Sequence, residues 1–163
     1  MTQPPKAVRL ATPADDDAIY RLLLGLERDN GIGYPHDPET VRQRIARGTA
    51  HKSGMIGVID APDGSGELAG SVSLEWGEFW YNRHIPYMVE QWLFVHPDWR
   101  RGTGYGDQLM QWVRWIRERL EESAGREVPF FTSVTSRHRL KAKMRWWGRR
   151  GEQVGAIYLL RGS

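Results

Sequence analysis

EQWLFVHPDWRRGTGYGDQLMQWV, residues 90–113, is the stretch from which the rest of the chain can be placed. Trp92, Leu93, Phe94 and Val95 form an apolar, strand-like run that His96, Pro97 and Asp98 interrupt. Arg100 and Arg101 come next, followed by glycines at alternate positions, Gly102, Gly104 and Gly106. Leu109, Val113, Ile116 and Leu120 then recur at helical spacing. Glycine permits positive φ and lets a ligand approach the backbone closely. Ahead of a helix, such a turn leaves the first N–H groups unpaired and pointing outward. The aligned peptide dipoles make that end partly positive, which favours an anion. Two neighbouring arginines suit phosphate oxygens through their planar fork of donors. Chemistry alone therefore reads the stretch as a strand, an anion-binding turn and a helix.

The spacing narrows the choice. A P-loop requires Gly-Lys-Ser/Thr after its glycines, and this turn has no lysine; the dinucleotide fingerprint requires G-x-G-x-x-G, and here the order is G-x-G-x-G. Residues 101–106 resemble the Arg/Gln-x-x-Gly-x-Gly/Ala turn of the GCN5-related N-acetyltransferases. Residues 95–100 look like that family's lead-in of Val, a short polar residue and Pro. The resemblance implies that the turn holds the pyrophosphate of acetyl-coenzyme A as cosubstrate. A glycine-rich connection with no ligand is the plainer alternative.

The 163 residues fit one domain, 1–163, with a real core. The 40% of hydrophobic residues is ordinary for a globular chain. No apolar run approaches a bilayer-spanning length, and residues 1–13 lack the apolar centre of a signal peptide. No membrane partner is therefore expected, and a cytoplasmic location is. The absence of cysteine excludes a disulfide framework, a thiolate metal site and an acyl-cysteine intermediate. His36, His51, His84, His96 and His138 show no paired ligand spacing, so no metal is expected. A net charge of +3 says little about partners, but seven of the cations crowd one segment, from Arg137 to Arg150. That run reads either as a solvated helix face or as a contact for an acidic group. It matches no recognised nucleic-acid-binding motif, so nucleic acid is not the expected partner.

Along the chain, residues 8–10 read as a first strand, and Thr12, Pro13, Ala14 and Asp15 as a helix start. A helix over residues 14–28 follows, with Ile19, Leu22, Leu23 and Leu26 on one face. Asp37 and Pro38 start a second helix that stops at Gly48. Residues 55–60 and 67–76 form a hairpin across Pro62, Asp63, Gly64, Ser65 and Gly66. Residues 77–85 are polar and aromatic and receive no assignment. Residues 86–95 are the strand entering the glycine turn, and the helix beyond it ends near 123–126. Residues 128–134 form a β-branched and aromatic strand. Thr135 or Ser136 caps a last helix that carries the basic run to about Gly151, and residues 154–160 close the chain as a strand. The order β-α-α-β-β-β-α-β-α-β predicts an α/β domain, two or three layers around one mixed sheet. It matches the single-domain acetyltransferase fold of the resembled family from end to end.

The resemblance implies transfer of an acetyl group from acetyl-coenzyme A to a primary amine, by direct attack in a ternary complex. Such a reaction needs hydrogen-bond donors for the developing oxyanion, a base to take a proton from the ammonium, and a proton for the departing thiolate. The family's pattern assigns the phosphates to the backbone of Arg101, Gly102, Thr103, Gly104, Tyr105 and Gly106, with Arg100 and Arg101 alongside. It assigns the pantetheine arm to the main chain of Leu93, Phe94 and Val95. Glu90, at the head of this strand, is the candidate base; an exposed or salt-bridged edge-strand carboxylate is its bland alternative. Period-two alternation sets it on the side of Trp92 and Phe94, provided no bulge intervenes. Such bulky neighbours would raise its pKa. Glu75 and Glu78 are competitors. The family often carries a Tyr acid four residues before the glycine that ends the last helix, and here that place is Trp147. An indole N–H is a donor without an acidic proton, so Tyr158, His138 or water takes the role.

The Trp112/Trp115 and Trp146/Trp147 pairs read as core or interface packing ahead of ligand stacking. Tyr34, Trp76, Phe79, Trp80 and Tyr81 could line an aromatic acceptor pocket or cover the sheet. The acceptor, an amine-bearing small molecule or a protein, is not coded in any stretch, and a homodimer stays open. A non-catalytic binder of acyl-coenzyme A or of an acidic macromolecule, on the same fold, is the rival reading.

Overall fold

The computed structural model describes residues 3–30, 35–79, 82–132 and 140–149. In chain order the elements are β1 (Arg9–Leu10), α1 (Asp16–Asn30), α2 (Pro38–Thr49), β2 (Gly54–Asp60), β3 (Leu68–Phe79), β4 (Asn82–Val95), α3 (Tyr105–Ala124), β5 (Phe130–Phe131) and α4 (Leu140–Gly148). The strands form one sheet in the order β1-β2-β3-β4-β5. Every pairing is antiparallel except β4 with β5.

Local chemistry sets most boundaries. Asp37 accepts from the N–H of Thr40 at 3.0 Å, and Pro38 occupies the first turn of α2. That helix runs one residue past Gly48. Asp63 accepts from the N–H of Ser65 at 3.0 Å and tightens the β2–β3 turn. A left-handed Gly125 ends α3. β3 and β4 run further into residues 77–85 than the sequence suggests, because Gly77 pairs with Tyr87 and Glu78 with Pro86. Trp80 and Tyr81 lie outside the described residues, as do the expected caps Thr135 and Ser136 and the expected strand over 154–160. Of the strand expected over 128–134, Phe130 and Phe131 are paired.

The two faces of the sheet carry separate cores, which makes three layers. On one face Val72, Leu74 and Met88 pack with Leu109, Val113 and Ile116 of α3. On the other, Ile56, Trp92 and Phe94 pack with Ile19, Leu22 and Ile45 of α1 and α2. Trp112 is buried in the α3 core, as its packing reading required. Among the described residues no helix is long and apolar enough to cross a membrane.

A β-bulge in β4 decides where the site residues point. Ser73 pairs with Trp92, but Leu74 pairs with Glu90, so Gln91 is the extra residue. One added residue reverses the alternation. Glu90 therefore shares the face of Leu74 and Met88, not that of Trp92 and Phe94, and the alternation expected from the sequence is corrected here.

Candidate functional site

β4 is paired with β3 along its length, from Asn82 to Val95. On its other edge β5 pairs at Met88 with Phe130 and at Val89 with Phe131. Beyond these two pairs, residues 90–95 of β4 border a cavity of about 390 Å³. Its remaining walls are Leu26, Asp29 and Asn30 at the end of α1, Arg100, Gly106 at the start of α3, and Ala142, Lys143, Trp146 and Trp147 of α4. Glu90, Leu93, Phe94, Val95, Arg100 and Gly106, singled out in the sequence, thus meet around one space.

The glycine turn meets the cavity at Gly106, while Arg101, Gly102, Thr103, Gly104 and Tyr105 are not among its walls. Gly102 and Gly104 have φ of 75° and 66°, a region costly for residues with a Cβ. Gly104 is the N-cap of α3, and its carbonyl accepts from Gln108 at 3.0 Å. The N–H groups of Tyr105 and Gly106 thus precede the helical ladder. Thr103 Oγ1 donates to the carbonyl of Trp99 at 2.6 Å and accepts from Tyr105 N–H at 3.3 Å, tying the turn to the preceding segment. Arg101 is exposed beside it. A Cβ built on Gly106 would lie 3.8 Å from the Trp146 ring, so the missing side chain keeps open the gap between α3 and α4.

Arg100 behaves differently from Arg101. Its Nε donates to the carbonyl of Val95 at 2.8 Å, and Nη1 to Asp29 Oδ1 at 3.0 Å. The guanidinium lies 5.0 Å from the Phe94 ring centre. Asp29 also pairs with Lys143 Nζ at 3.5 Å, and that ammonium donates to Asn30 Oδ1 at 3.2 Å. Burial works to raise the Asp29 pKa, but Arg100 and Lys143 outweigh it and hold the carboxyl below its usual range. The cluster fastens the end of α1 to the β4–α3 junction and to α4. Leu26, Asp29, Asn30 and Lys143 escaped the sequence reading; the polar end of a helix and one lysine in a basic run carry no signal of a shared cavity. Lys141, Arg145 and Arg149 of that run are exposed, whereas Lys143 lines the cavity.

Glu90 is 9% exposed, and its Oε2 accepts a hydrogen bond from Thr132 Oγ1. Burial pushes its carboxyl up to about 7, against the opposing effect of the Thr132 hydroxyl. Glu75 instead accepts from Gln91 Nε2 at 3.0 Å, and Glu78 is exposed further along β3. Neither lines the cavity. Trp147 does, with Trp146 edge-on at a centroid distance of 5.0 Å. Both indoles also pack on the α3-side core, so they serve packing and cavity wall together. His138 and Tyr158 lie outside the described residues. His96 Nδ1 accepts from Asp98 N–H at 3.4 Å, as a junction residue would. Among the described residues no group of three His, Asp or Glu side chains could hold a metal ion.

No protein-family model and no curated protein matches the sequence. Solved structures do resemble the fold. A possible acetyltransferase from Clostridium difficile 630 superposes with a TM-score of 0.70 at 15% identity, over 96% of each chain. A predicted acetyltransferase with acetyl-CoA from Clostridium acetobutylicum gives 0.70 at 13% identity, over 95% of this chain and 94% of that one. An aminoglycoside acetyltransferase from an uncultured soil metagenomic sample, in complex with sisomicin, gives 0.61 at 16%, over 95% of each. The chain has the fold of the GCN5-related acetyltransferases.

Proposed function

We propose that this chain is an acetyl-coenzyme A-dependent N-acetyltransferase of the GCN5-related family, a single domain over residues 1–163 that acetylates a primary amine. One arrangement carries the reading. A buried carboxyl with a pKa near 7, Glu90, stands where β4 and β5 part, and Gly106, in the first turn of α3, lines the same cavity. The fold likeness to acetyltransferases, one with acetyl-CoA and one acting on an aminoglycoside, supports the donor and an amine acceptor in general.

Acetyl-coenzyme A supplies an activated acetyl thioester. The residues present fit it. The N–H group of Gly106 and the Arg101 guanidinium would hold its phosphates. The main chain of Leu93, Phe94 and Val95 would align its arm along the edge of β4, and the open side of Gly106 would admit it past Trp146. Arg100 acts as a strut for that wall through Asp29, a narrower role than direct phosphate contact. Glu90, about half ionised near neutral pH, would take the proton that an ammonium must lose before its nitrogen attacks. As the C–N bond forms and the C–S bond breaks, the nitrogen sheds its second proton to water, and the thiolate takes a proton from Glu90 or from water. Trp147 can only donate a hydrogen bond there.

The test is a thiol-release assay with acetyl-coenzyme A and a panel of amines. Amine-dependent release is expected, with kcat/KM rising through a midpoint near pH 7. Glu90→Gln should lose roughly 100-fold or more in turnover while still binding the coenzyme. Release that ignores the amine, or wild-type rates in Glu90→Gln at every pH, would sink the reading.

A further inference from the structure

Gln91 is the residue that the bulge adds to β4, and its side chain is tied on both sides. Its Oε1 accepts from Arg44 Nη1 of α2, and its Nε2 donates to Glu75 Oε2 of β3 at 3.0 Å. Glu75 is paired through the sheet with Gly54 on one side and Val89 on the other, so β3 offers a fixed anchor. Arg44 is exposed, whereas Gln91 and Glu75 are half-buried. A guanidinium only donates and a carboxylate only accepts, so the group between them must accept on one side and donate on the other. An amide does both. A carboxylate in its place would meet Glu75 with a like charge, and an apolar side chain would answer neither partner.

The unbulged register shows what this tie opposes. With Trp92 kept opposite Ser73 and no extra residue, Gln91 would fall opposite Leu74 and Glu90 opposite Glu75. The Gln91 amide would then face the apolar α3-side core to which Leu74 belongs, where an unpaired polar group is costly. Two carboxylates would stand opposite each other on one face of the sheet, a destabilising pair. Glu90 would turn to the face of Trp92 and Phe94 and lose its bond with the Thr132 hydroxyl. We propose that Gln91 is a positioning residue, whose amide, held between Arg44 and Glu75, locks the bulge and so aims Glu90 into the cavity. On the acyl-transfer reading, on which this step rests, Gln91 sets the base without itself exchanging a proton.

Burial governs the Glu90 carboxyl, with the Thr132 hydroxyl opposing, so its titration reports whether the bulge holds. Gln91→Met removes both bonds at similar size and unchanged charge. Followed by NMR in the full chain, without any turnover, the Glu90 carboxyl should then titrate about 1 pH unit lower, because a loosened strand admits water. In the thiol-release assay kcat should fall about ten-fold. Arg44→Met, on the exposed side of α2, removes one anchor and should give a smaller change in the same direction. Combining Gln91→Glu with Glu75→Gln exchanges the roles: the carboxylate accepts from Arg44 and from the amide opposite it, and most of kcat should return. A Glu90 midpoint unchanged in Gln91→Met, or in Arg44→Met should the first variant not fold, overturns the proposal, as does an exchanged pair no faster than Gln91→Met. A lowered midpoint in a chain that acetylates no amine supports the positioning role and removes only the transferase reading.

Discussion

At the level of single residues, Glu90 and Thr132 form the pair on which the proposed chemistry turns. The Thr132 hydroxyl donates to the carboxylate and favours its charged form, against the burial that favours the neutral one. Thr132→Val keeps the shape and removes the donor, so the Glu90 pKa should move above about 7. The alkaline-rising limb of kcat/KM should then shift to higher pH, with the plateau rate approached only under more basic conditions. An unshifted limb would show that the hydroxyl does not tune the carboxyl. The resemblance made Glu90 the candidate base, and its place at the head of the strand entering the glycine turn was legible in the sequence. Its direction was not. The Gln91 bulge adds one residue to β4, and no composition or period reveals that the pairing skips a position. Arg100 was similarly ambiguous: a guanidinium suits a phosphate and an aspartate equally, and Asp29 lies 71 positions away in sequence.

At the scale of elements, the strand–turn–helix stretch was almost fully readable. Its glycines are separable by what each must do. Gly104 adopts a left-handed conformation with nothing near its missing Cβ. Gly104→Ala should therefore cost about 1 kcal/mol in stability and distort the first N–H groups of α3, lowering both Tm and coenzyme affinity. Gly106 lies inside α3 at an ordinary φ, where alanine is the better helix former by up to about 1 kcal/mol. Gly106→Ala should leave Tm unchanged or raise it by about 2–4 °C, yet weaken coenzyme binding, because the added methyl reaches the cavity wall at Trp146. Calorimetry and thermal melts on the two variants check this, and parallel losses in both would contradict it. The helices and the β2–β3 hairpin were legible for the same reason as the turn: their caps, glycines and periodicities act locally. The meeting of the Phe79, Tyr87 and Phe131 rings was only half legible. Phe79 stood out in an unassigned aromatic stretch, but its partners Tyr87 and Phe131 come from two other strands and meet it only through sheet pairing.

For the whole molecule, opposing groups shape the dependence of stability on pH. Arg9 bonds to both Asp15 and Asp60, linking β1 to the segment ahead of α1 and to β2. Chiefly through that guanidinium, with burial opposing, the Asp15 carboxyl is lowered to about 2. A lowered carboxyl contributes stability above its usual pKa of 3.8, and loses it as pH falls towards 2. The contribution is at most about 2 kcal/mol, reduced by solvent around the half-exposed arginine. Glu90 acts in the other direction. Its folded form keeps a proton that the unfolded chain sheds from about 4.5, so stability falls as pH rises from there to about 7 and then levels off. That loss amounts to about 3 kcal/mol, or roughly 6–12 °C in Tm for a chain of this size. Stability should therefore peak near pH 4–5, with the acid limb owed to Asp15 and its fellow lowered carboxylates and the alkaline limb to Glu90. Thermal melts from pH 2 to 8 on the wild type and Glu90→Gln test both limbs at once. The variant should keep the acid limb, lose the decline between pH 4.5 and 7, and melt above the wild type at pH 8. A wild-type curve flat across that window, or an equal decline in the variant, would mean that Glu90 does not bear the cost of burial, and its suitability as a base near neutral pH would fall with it.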